Sequence, residues 1–195
     1  MKSRPRMHSL RWLHLLPIGA VACEYFYKIK VVNGRSMQPT LNPDWLLSRD
    51  VGVFDVFSVQ AKHHYTRGDV VALVSPMNPE RMLIKRILAV EGDVVQTLPP
   101  YPDPTVIIPK GHVWVEGDES FRTDDSNRFG PVPSALIESK LISIIWPLNR
   151  FGVFRSKPSI NMDGLDEPSR RHQKDAVDRD RWRDSRVVRR PGQSA

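Results

Sequence analysis

The stretch Leu83-Ile84-Lys85-Arg86-Ile87-Leu88 predicts a buried β-strand, because aliphatic and β-branched residues surround its two cationic side chains. An ammonium group in such a strand is poorly solvated, so a lysine there loses its proton more easily than an exposed lysine does. Lys85 is therefore a candidate general base. Taken alone, it could also be an ordinary solvated strand lysine.

A serine segment lies upstream of this strand and supplies a candidate nucleophile. Ser36 stands within Gly34-Arg35-Ser36-Met37-Gln38-Pro39-Thr40-Leu41. A serine hydroxyl is a weak nucleophile until a neighbouring base removes its proton, and a buried lysine with a lowered pKa can do this. The two segments together predict a Ser/Lys hydrolase. Taken alone, Ser36 could be a turn serine, since short motifs often match by chance.

Four blocks, in the same order, resemble those of the type I signal peptidases, a family of membrane-bound serine proteases with a Ser/Lys dyad. The blocks are the Ser36 segment, Arg67-Gly68-Asp69-Val70-Val71, residues 84–93 and residues 117–130. Bacterial members typically carry an arginine where this chain has Asn127. Asp-Ser-Asn followed by Phe-Gly-Pro is similar to the mitochondrial branch of the family. The resemblance covers roughly residues 10–152.

The resemblance implies roles for individual residues. Ser36 would attack the scissile carbonyl, and neutral Lys85 would take the hydroxyl proton and pass it to the leaving amine. Thr123 occupies the position of a hydroxyl residue that orients the lysine, although it could be an ordinary loop threonine. The backbone N–H of Ser36 is one candidate oxyanion donor. Many bacterial relatives add a serine where this chain has Gly34, so the second donor is open, and Gly34 could instead allow close approach of the substrate.

Four further residues are expected to support the site. Met37 is expected in the substrate-binding floor beside the nucleophile, although an ordinary core methionine is equally consistent with the sequence. Asp118, Asp125 and Ser126 are expected to build the loop that holds the dyad. Carboxylates without matched histidines are weak evidence for a metal ion, so neither a metal nor another cofactor is predicted.

The ends of the chain differ from its middle in composition. The formal net charge is +7, but the basic excess lies mostly at the ends, so no nucleic-acid partner is predicted. Residues 1–11 form a basic segment suited to mitochondrial import or to an anionic membrane face. Residues 12–28 are predicted to be a membrane-anchor helix, with an interfacial helix or a soluble core helix as alternatives. Residues 156–195 are predicted to be a disordered charged tail that is dispensable for chemistry, with docking of the partner subunit as the alternative.

The middle of the chain, residues 29–155, predicts a mainly β fold. Short β-branched runs alternate with glycine and proline, which is the pattern of an all-β domain, and the resemblance makes this a signal-peptidase-like catalytic domain. Residues 42–67 are predicted to be a surface excursion. Its apolar residues could line the substrate groove, meet the membrane or pack in the core; they are Trp45, Leu46, Leu47, Phe54 and Phe57.

The resemblance implies an endopeptidase of the mitochondrial inner membrane with its catalytic domain in the intermembrane space. It would remove sorting signals from precursor proteins, and its partners would be those precursors, inner membrane lipid and a homologous catalytic subunit. One alternative is a soluble, self-cleaving Ser/Lys regulator, but residues 1–28 are too short and too apolar for its usual DNA-binding domain. The other is a non-catalytic partner subunit, against which Ser36 and Lys85 argue.

Overall fold

The computed structural model describes residues 25–43, 48–119, 124–155 and 167–189, with side chains for all of these except residues 167–173. Eleven strands lie in the described part of the chain. Their bounds are β1 Tyr27–Val31, β2 Val51–Asp55, β3 Val70–Val74, β4 Met82–Val90, β5 Val94–Gln96, β6 Thr105–Ile107, β7 His112–Glu116, β8 Val132–Pro133, β9 Ile137–Trp146, β10 Gly152–Val153 and β11 Val187–Val188. The helices are α1 Phe57–Gln60, α2 Ser126–Phe129 and α3 Glu167–Ser185.

The larger sheet is antiparallel and has the strand order β1-β2-β9-β3-β4-β7-β8, with β10 also paired to β9. Strand β4 lies between β3 and β7. Lys85 is opposite Val71 on β3, and Arg86 is opposite Glu116 on β7. The predicted buried strand therefore lies inside the sheet, and the mainly β fold is confirmed.

Apolar side chains cover both faces of this sheet. One cluster contains Val71, Leu73, Leu83 and Ile87, while the cluster on the other side contains their strand neighbours Val70 and Ala72. Successive residues of a strand point to opposite faces, so a strand that is buried on both sides is apolar at nearly every position. This explains the continuous hydrophobic runs of β3 and β4.

A smaller sheet, with the strand order β11-β5-β6, packs beside the larger one. The cluster between them contains Leu88, Val95, Ile108 and Trp114, which are all buried. The ring of Tyr101 meets the ring of Trp114 edge-on, with 5.3 Å between the centroids. The smaller sheet is thus held against the end of β4 by apolar packing.

The predicted disordered tail is wrong for residues 167–189, which form α3 and β11 and are called the C-terminal arm below. Val187 and Val188 pair with Val95 and Val94 of β5. Arg183 and Arg186 are buried against the domain. The composition of this segment predicts disorder because it contains few apolar residues. In the structure the segment is instead held by ion pairs of its buried charged side chains. Residues 156–166 and 190–195 lie outside the described residues.

Most of the predicted N-terminal anchor also lies outside the described residues, which begin at Tyr25. Strand β1 begins at Tyr27, where pairing with β2 starts, so the β-domain starts two residues before the predicted boundary at residue 29. Among the described residues, no helix combines the length and the apolar character needed to cross a membrane.

The predicted surface excursion at residues 42–67 contains a strand of the main sheet. Strand β2 pairs with both β1 and β9, and Phe54 is fully buried in the second cluster. Phe57 begins α1 and remains partly exposed. Trp45, Leu46 and Leu47 lie outside the described residues.

We expect Leu73→Ala to lower the free energy of unfolding by about 2–5 kcal/mol, because Leu73 is fully buried and its removal leaves a cavity in the first cluster. The matched control is Leu148→Ala, since Leu148 is 73% exposed. Urea unfolding of the purified full chain measures both variants. Equal midpoints for the two variants would contradict the assignment of Leu73 to the core.

Candidate active site

Ser36 and Lys85 line the same surface cleft, which has a volume of about 720 Å³. Met82, Leu83 and Ile84 of β4 also line the cleft, and so do the charged residues Arg81 and Asp124. Two segments that are far apart in the chain are thus brought to one opening, as the sequence predicts. The cleft offers a hydroxyl, an amine and an apolar surface to a bound molecule.

Ser36 lies on a tight turn. Gly34 precedes it with a φ of +93°, a left-handed conformation that favours glycine, and a Cβ at Gly34 would meet nothing within 4 Å. Gly34 is therefore required by the backbone conformation. The chain then coils through Leu41, whose N–H donates to the carbonyl of Met37 at 2.8 Å.

The buried side chain of Asn42 stabilises this turn through hydrogen bonds to its backbone. Its Nδ2 donates to the carbonyls of Val32 at 2.8 Å and Gly34 at 3.1 Å, and its backbone N–H donates to Oδ2 of Asp50 at 2.8 Å. Arg150 pairs with Asp50 and donates to the carbonyl of Thr40 at 2.7 Å. Sequence reasoning missed Asn42, Asp50 and Arg150. No pattern in the sequence singles them out, because they act by joining distant segments.

Lys85 is only 2% exposed, and strand alternation places its side chain on the face of β4 that also carries Leu83 and Ile87. Burial lowers the pKa of Lys85 to about 8, although the carboxylates of Asp125 and Asp124 act in the opposite direction. Arg81 lowers it further, and Asp118 raises it slightly. An appreciable fraction of this amine is therefore neutral near physiological pH.

Asp118 is held by several donors on the other face of β4. Arg86 donates from Nε to Oδ1 at 2.9 Å and from Nη2 to Oδ2 at 2.7 Å. Arg183 of the C-terminal arm lies 3.1 Å from Oδ1, and the hydroxyl of Thr40 also favours the ionised carboxylate. Burial opposes ionisation of Asp118, but these cations and hydrogen bonds outweigh it and hold its pKa below the ordinary value.

Asp125 and Ser126 organise the next part of the same loop. The Asp125 carboxylate caps α2 by accepting from the N–H of Asn127 at 3.0 Å, and it also accepts from the N–H of Gly117 at 3.4 Å. Ser126 Oγ accepts from the N–H of Val115 at 2.9 Å. Asn127 Nδ2 donates to Glu116 at 2.9 Å. Asp118, Asp125 and Ser126 thus all lie in buried polar contacts.

The second sequence block holds β4 from the side. Arg67 pairs with Asp93, and the N–H of Gly68 donates to the carbonyl of Ile87 at 2.7 Å. Arg86 Nη1 also donates to the carbonyl of Gly68 at 2.8 Å. The Arg-Gly-Asp segment and the end of the third block are therefore joined to the strand that carries Lys85.

Three predicted site residues remain, and they differ in where they lie. Met37 is buried in the second apolar cluster with Leu41 and Phe54 and is not among the described residues that line the cleft, while its predicted contact with substrate stays a prediction. Gly34 lines the cleft beside Ser36. Thr123 lies outside the described residues. The described residues contain no group of three or more histidine, cysteine or acidic side chains that could hold a metal ion.

Comparison with known proteins connects the chain to a family. The family model described as signal peptidase, peptidase S26, matches residues 7–99. The mitochondrial inner membrane protease subunit 2 of Schizosaccharomyces pombe is 44% identical over 138 residues, which are 70% of this chain and 74% of that protein. The Danio rerio subunit 2 is 40% identical over 148 residues, covering 76% and 79%. The Homo sapiens subunit 1 is 34% identical over 147 residues, covering 73% and 83%.

We expect Asp118→Asn to lower the free energy of unfolding at neutral pH by about 3–5 kcal/mol, because it removes one partner of a buried ion pair. The folded pKa of Asp118 is depressed, so its contribution is present above the unfolded value of 3.8 and is lost as the pH falls through the folded value. The difference between wild type and variant should therefore shrink on acidification. Urea unfolding at several pH values measures it, with exposed Asp103→Asn as the control. A difference that does not change with pH would contradict the assignment.

Proposed function

Because the chain belongs to the type I signal peptidase family, we propose that it is a membrane-bound endopeptidase of the mitochondrial inner membrane that removes sorting signal peptides from precursor proteins. One observation carries the chemical part of this proposal. Ser36 and the buried Lys85, whose pKa is lowered to about 8, line the same cleft. Curated relatives with 34–44% identity are named as subunits of the mitochondrial inner membrane protease, which supports the location and the type of reaction.

In the proposed reaction the neutral amine of Lys85 removes the proton from Ser36 Oγ as that oxygen attacks the scissile carbonyl. The resulting ammonium then protonates the leaving amine, and an acyl-enzyme ester remains on Ser36. Water hydrolyses this ester with Lys85 again as the base, which restores the serine. The backbone N–H of Ser36 is the proposed oxyanion donor, and Thr123 is proposed to orient Lys85 through its hydroxyl.

The proposed substrate is an extended precursor segment. Leu83 and Ile84 would contact the side chains before the cut, while Arg81 and Asp124 offer charges of both signs in the cleft. A cleft lined by both apolar and charged residues can bind the peptide backbone and flanking polar residues of many different sequences. The family resemblance implies a small residue before the cut, and Met82, Leu83 and Ile84 line the same cleft as Ser36.

An exposed apolar surface supports a position against the membrane. Tyr27, Ile29 and Val31 alternate on the outer face of the edge strand β1, which begins where the predicted anchor ends. Val31 and Trp146 both pair with Val51, so the surface continues across three strands. Further exposed apolar side chains extend it; they are Leu148, Phe151 and Val153. Aromatic and aliphatic side chains of this kind suit the interface of a bilayer.

A second subunit is part of the proposal, since the relatives are named as numbered subunits of one protease. A non-catalytic role for this chain within such a complex is the competing function. The test is processing of precursors in mitochondria that carry Ser36→Ala, measured by proteomics of protein N-termini. We expect unprocessed sorting signals to accumulate, and normal processing would favour the non-catalytic role.

We expect Lys85→Arg to be as inactive as Lys85→Ala, because a guanidinium does not deprotonate near neutral pH and a retained positive charge does not replace a base. Each should reduce kcat by at least about 100-fold. For the wild type, kcat should rise with pH through a midpoint near 8 and then level off, because only neutral Lys85 can accept the proton. Cleavage of a fluorogenic precursor peptide measures both effects, with exposed Lys62→Arg as the control. Substantial activity of Lys85→Arg would contradict the role of Lys85.

We expect the protein to stay in the membrane pellet after alkaline carbonate extraction if the N-terminal segment that precedes β1 spans the bilayer. Replacing Leu148 and Phe151 with serine should leave this result unchanged but weaken binding of the domain to lipid vesicles, since both side chains are exposed. Leucine in place of the buried Ile144 is the control, because it changes no exposed group. Release of the wild type by carbonate would contradict a membrane span and favour an interfacial helix.

A further inference from the structure

We propose that Arg183 of the C-terminal arm is a positioning residue for the dyad, acting through Asp118 on both Ser36 and Lys85. This inference rests on the proposed function, because it concerns the same nucleophile and base. It assigns a catalytic contribution to a segment that follows the four blocks of the family resemblance and whose composition predicts disorder.

The contacts of Arg183 are buried and directional. Its Nη2 lies 3.1 Å from Oδ1 of Asp118 and its Nη1 donates to Asp180 at 2.9 Å. The side chain is 8% exposed, and that of Asp118 is fully buried. A guanidinium in this position bridges the arm to the loop, since its Nη2 also donates to the backbone carbonyl of Asp118 at 3.4 Å. It therefore holds the backbone of Asp118 as well as its carboxylate.

Asp118 joins the supports of both dyad residues. Its two oxygens bind Arg86, which is the neighbour of Lys85 on β4. The hydroxyl of Thr40, in the Ser36 turn, favours the ionised form of the same carboxylate. The next residue, Glu119, donates its N–H to the carbonyl of Ser36 at 3.1 Å. A rotation of the Asp118 carboxylate would therefore move the turn and the strand relative to each other.

The arm has other attachments that do not involve Asp118. Strand β11 pairs with β5, and Arg186 forms an ion pair with Glu116 while lying 4.6 Å over the ring of Trp182. Loss of the Arg183 side chain should therefore leave the arm docked. The effect of an Arg183 substitution on catalysis can therefore be distinguished from the effect of undocking the whole arm.

The charge of Arg183 also bears on Lys85. The groups that act on the Lys85 amine are Asp125, Asp124 and Asp118, which favour the ammonium, and Arg81, which opposes it. Without Arg183, one guanidinium rather than two would neutralise Asp118. The negative potential at Lys85 would then be stronger, and its pKa would be higher.

The experiment compares Arg183→Gln, Arg183→Lys and Arg181→Gln in the detergent-solubilised full chain, with wild type and Ser36→Ala as references. Arg181→Gln is the matched control, because it makes the same change on the same helix at a side chain that is 74% exposed. Cleavage of a fluorogenic precursor peptide gives kcat, KM and the pH midpoint. The Lys85 titration is followed separately by NMR of lysine labelled with ¹³C at Cε and assigned with Lys85→Arg.

We expect Arg183→Gln to lower kcat by about 10-fold or more with KM nearly unchanged, because a small misalignment of nucleophile and base is costly. The midpoints of kcat and of the Lys85 titration should both rise, by about 0.5 pH units. Arg183→Lys should restore the midpoints but only part of kcat, because it keeps the charge and loses the fork. Arg181→Gln should match wild type.

Wild-type kcat and an unchanged Lys85 titration in Arg183→Gln would overturn the inference, while Ser36-dependent cleavage in the wild type would leave the proposed function standing. Should Arg183→Gln fail to fold, Arg183→Lys decides, since wild-type kcat in that folded variant would overturn the role. Should the wild type show no Ser36-dependent cleavage, the proposed function fails. The Lys85 titration then still decides whether Arg183 and Lys85 are coupled.

Discussion

The ion pair between Arg86 and Asp118 is the constraint on which the rest of the site depends. Both groups are buried, so neither can be satisfied by water, and removing one partner from such a pair costs about 3–5 kcal/mol. Because Arg86 is fixed by Asp118 and by the carbonyl of Gly68, the adjacent Lys85 has a defined backbone position. The strand therefore carries a cationic side chain on each face, with Arg86 in a structural ion pair and Lys85 as the proposed base.

The proposed base, Lys85, lies beside acidic side chains that oppose loss of its proton. Burial lowers the pKa of Lys85, but nearby carboxylates stabilise its ammonium. Each of these carboxylates is engaged by other donors. Asp125 accepts from the backbone N–H groups of Gly117 and Asn127, Asp124 pairs with Arg81 and Arg128, and Asp118 is bound by two arginines. Their charges are thereby partly neutralised, so burial dominates at Lys85.

The sequence predicts what depends on local patterns and misses what depends on distant contacts. Strand β4 and the pairing of Ser36 with Lys85 in one cleft were predictable, because continuous apolar runs and ordered motifs are local signals. Strand β2 was missed because Gly52 and Asp55 interrupt its apolar character. At Gly52 a Cβ would lie 2.5 Å from Leu141, so the glycine there reflects close packing rather than a loop. The C-terminal arm was not predicted, because an argument from composition treats charged residues as exposed. Arg183 and Arg186 are instead buried.

The two residues of the proposed dyad lie on different kinds of structure. Lys85 lies on a central strand fixed by sheet hydrogen bonds and apolar packing, whereas Ser36 lies on a turn closed by side-chain contacts of Asn42 and Arg150. A hydrophobic core tolerates small shifts, but ion pairs and hydrogen bonds weaken steeply as distance and angle change. The relative position of nucleophile and base is therefore set by the polar contacts around Asp118 rather than by the core. A core substitution should act mainly on stability, while a change in these contacts should act on alignment in a protein that remains folded.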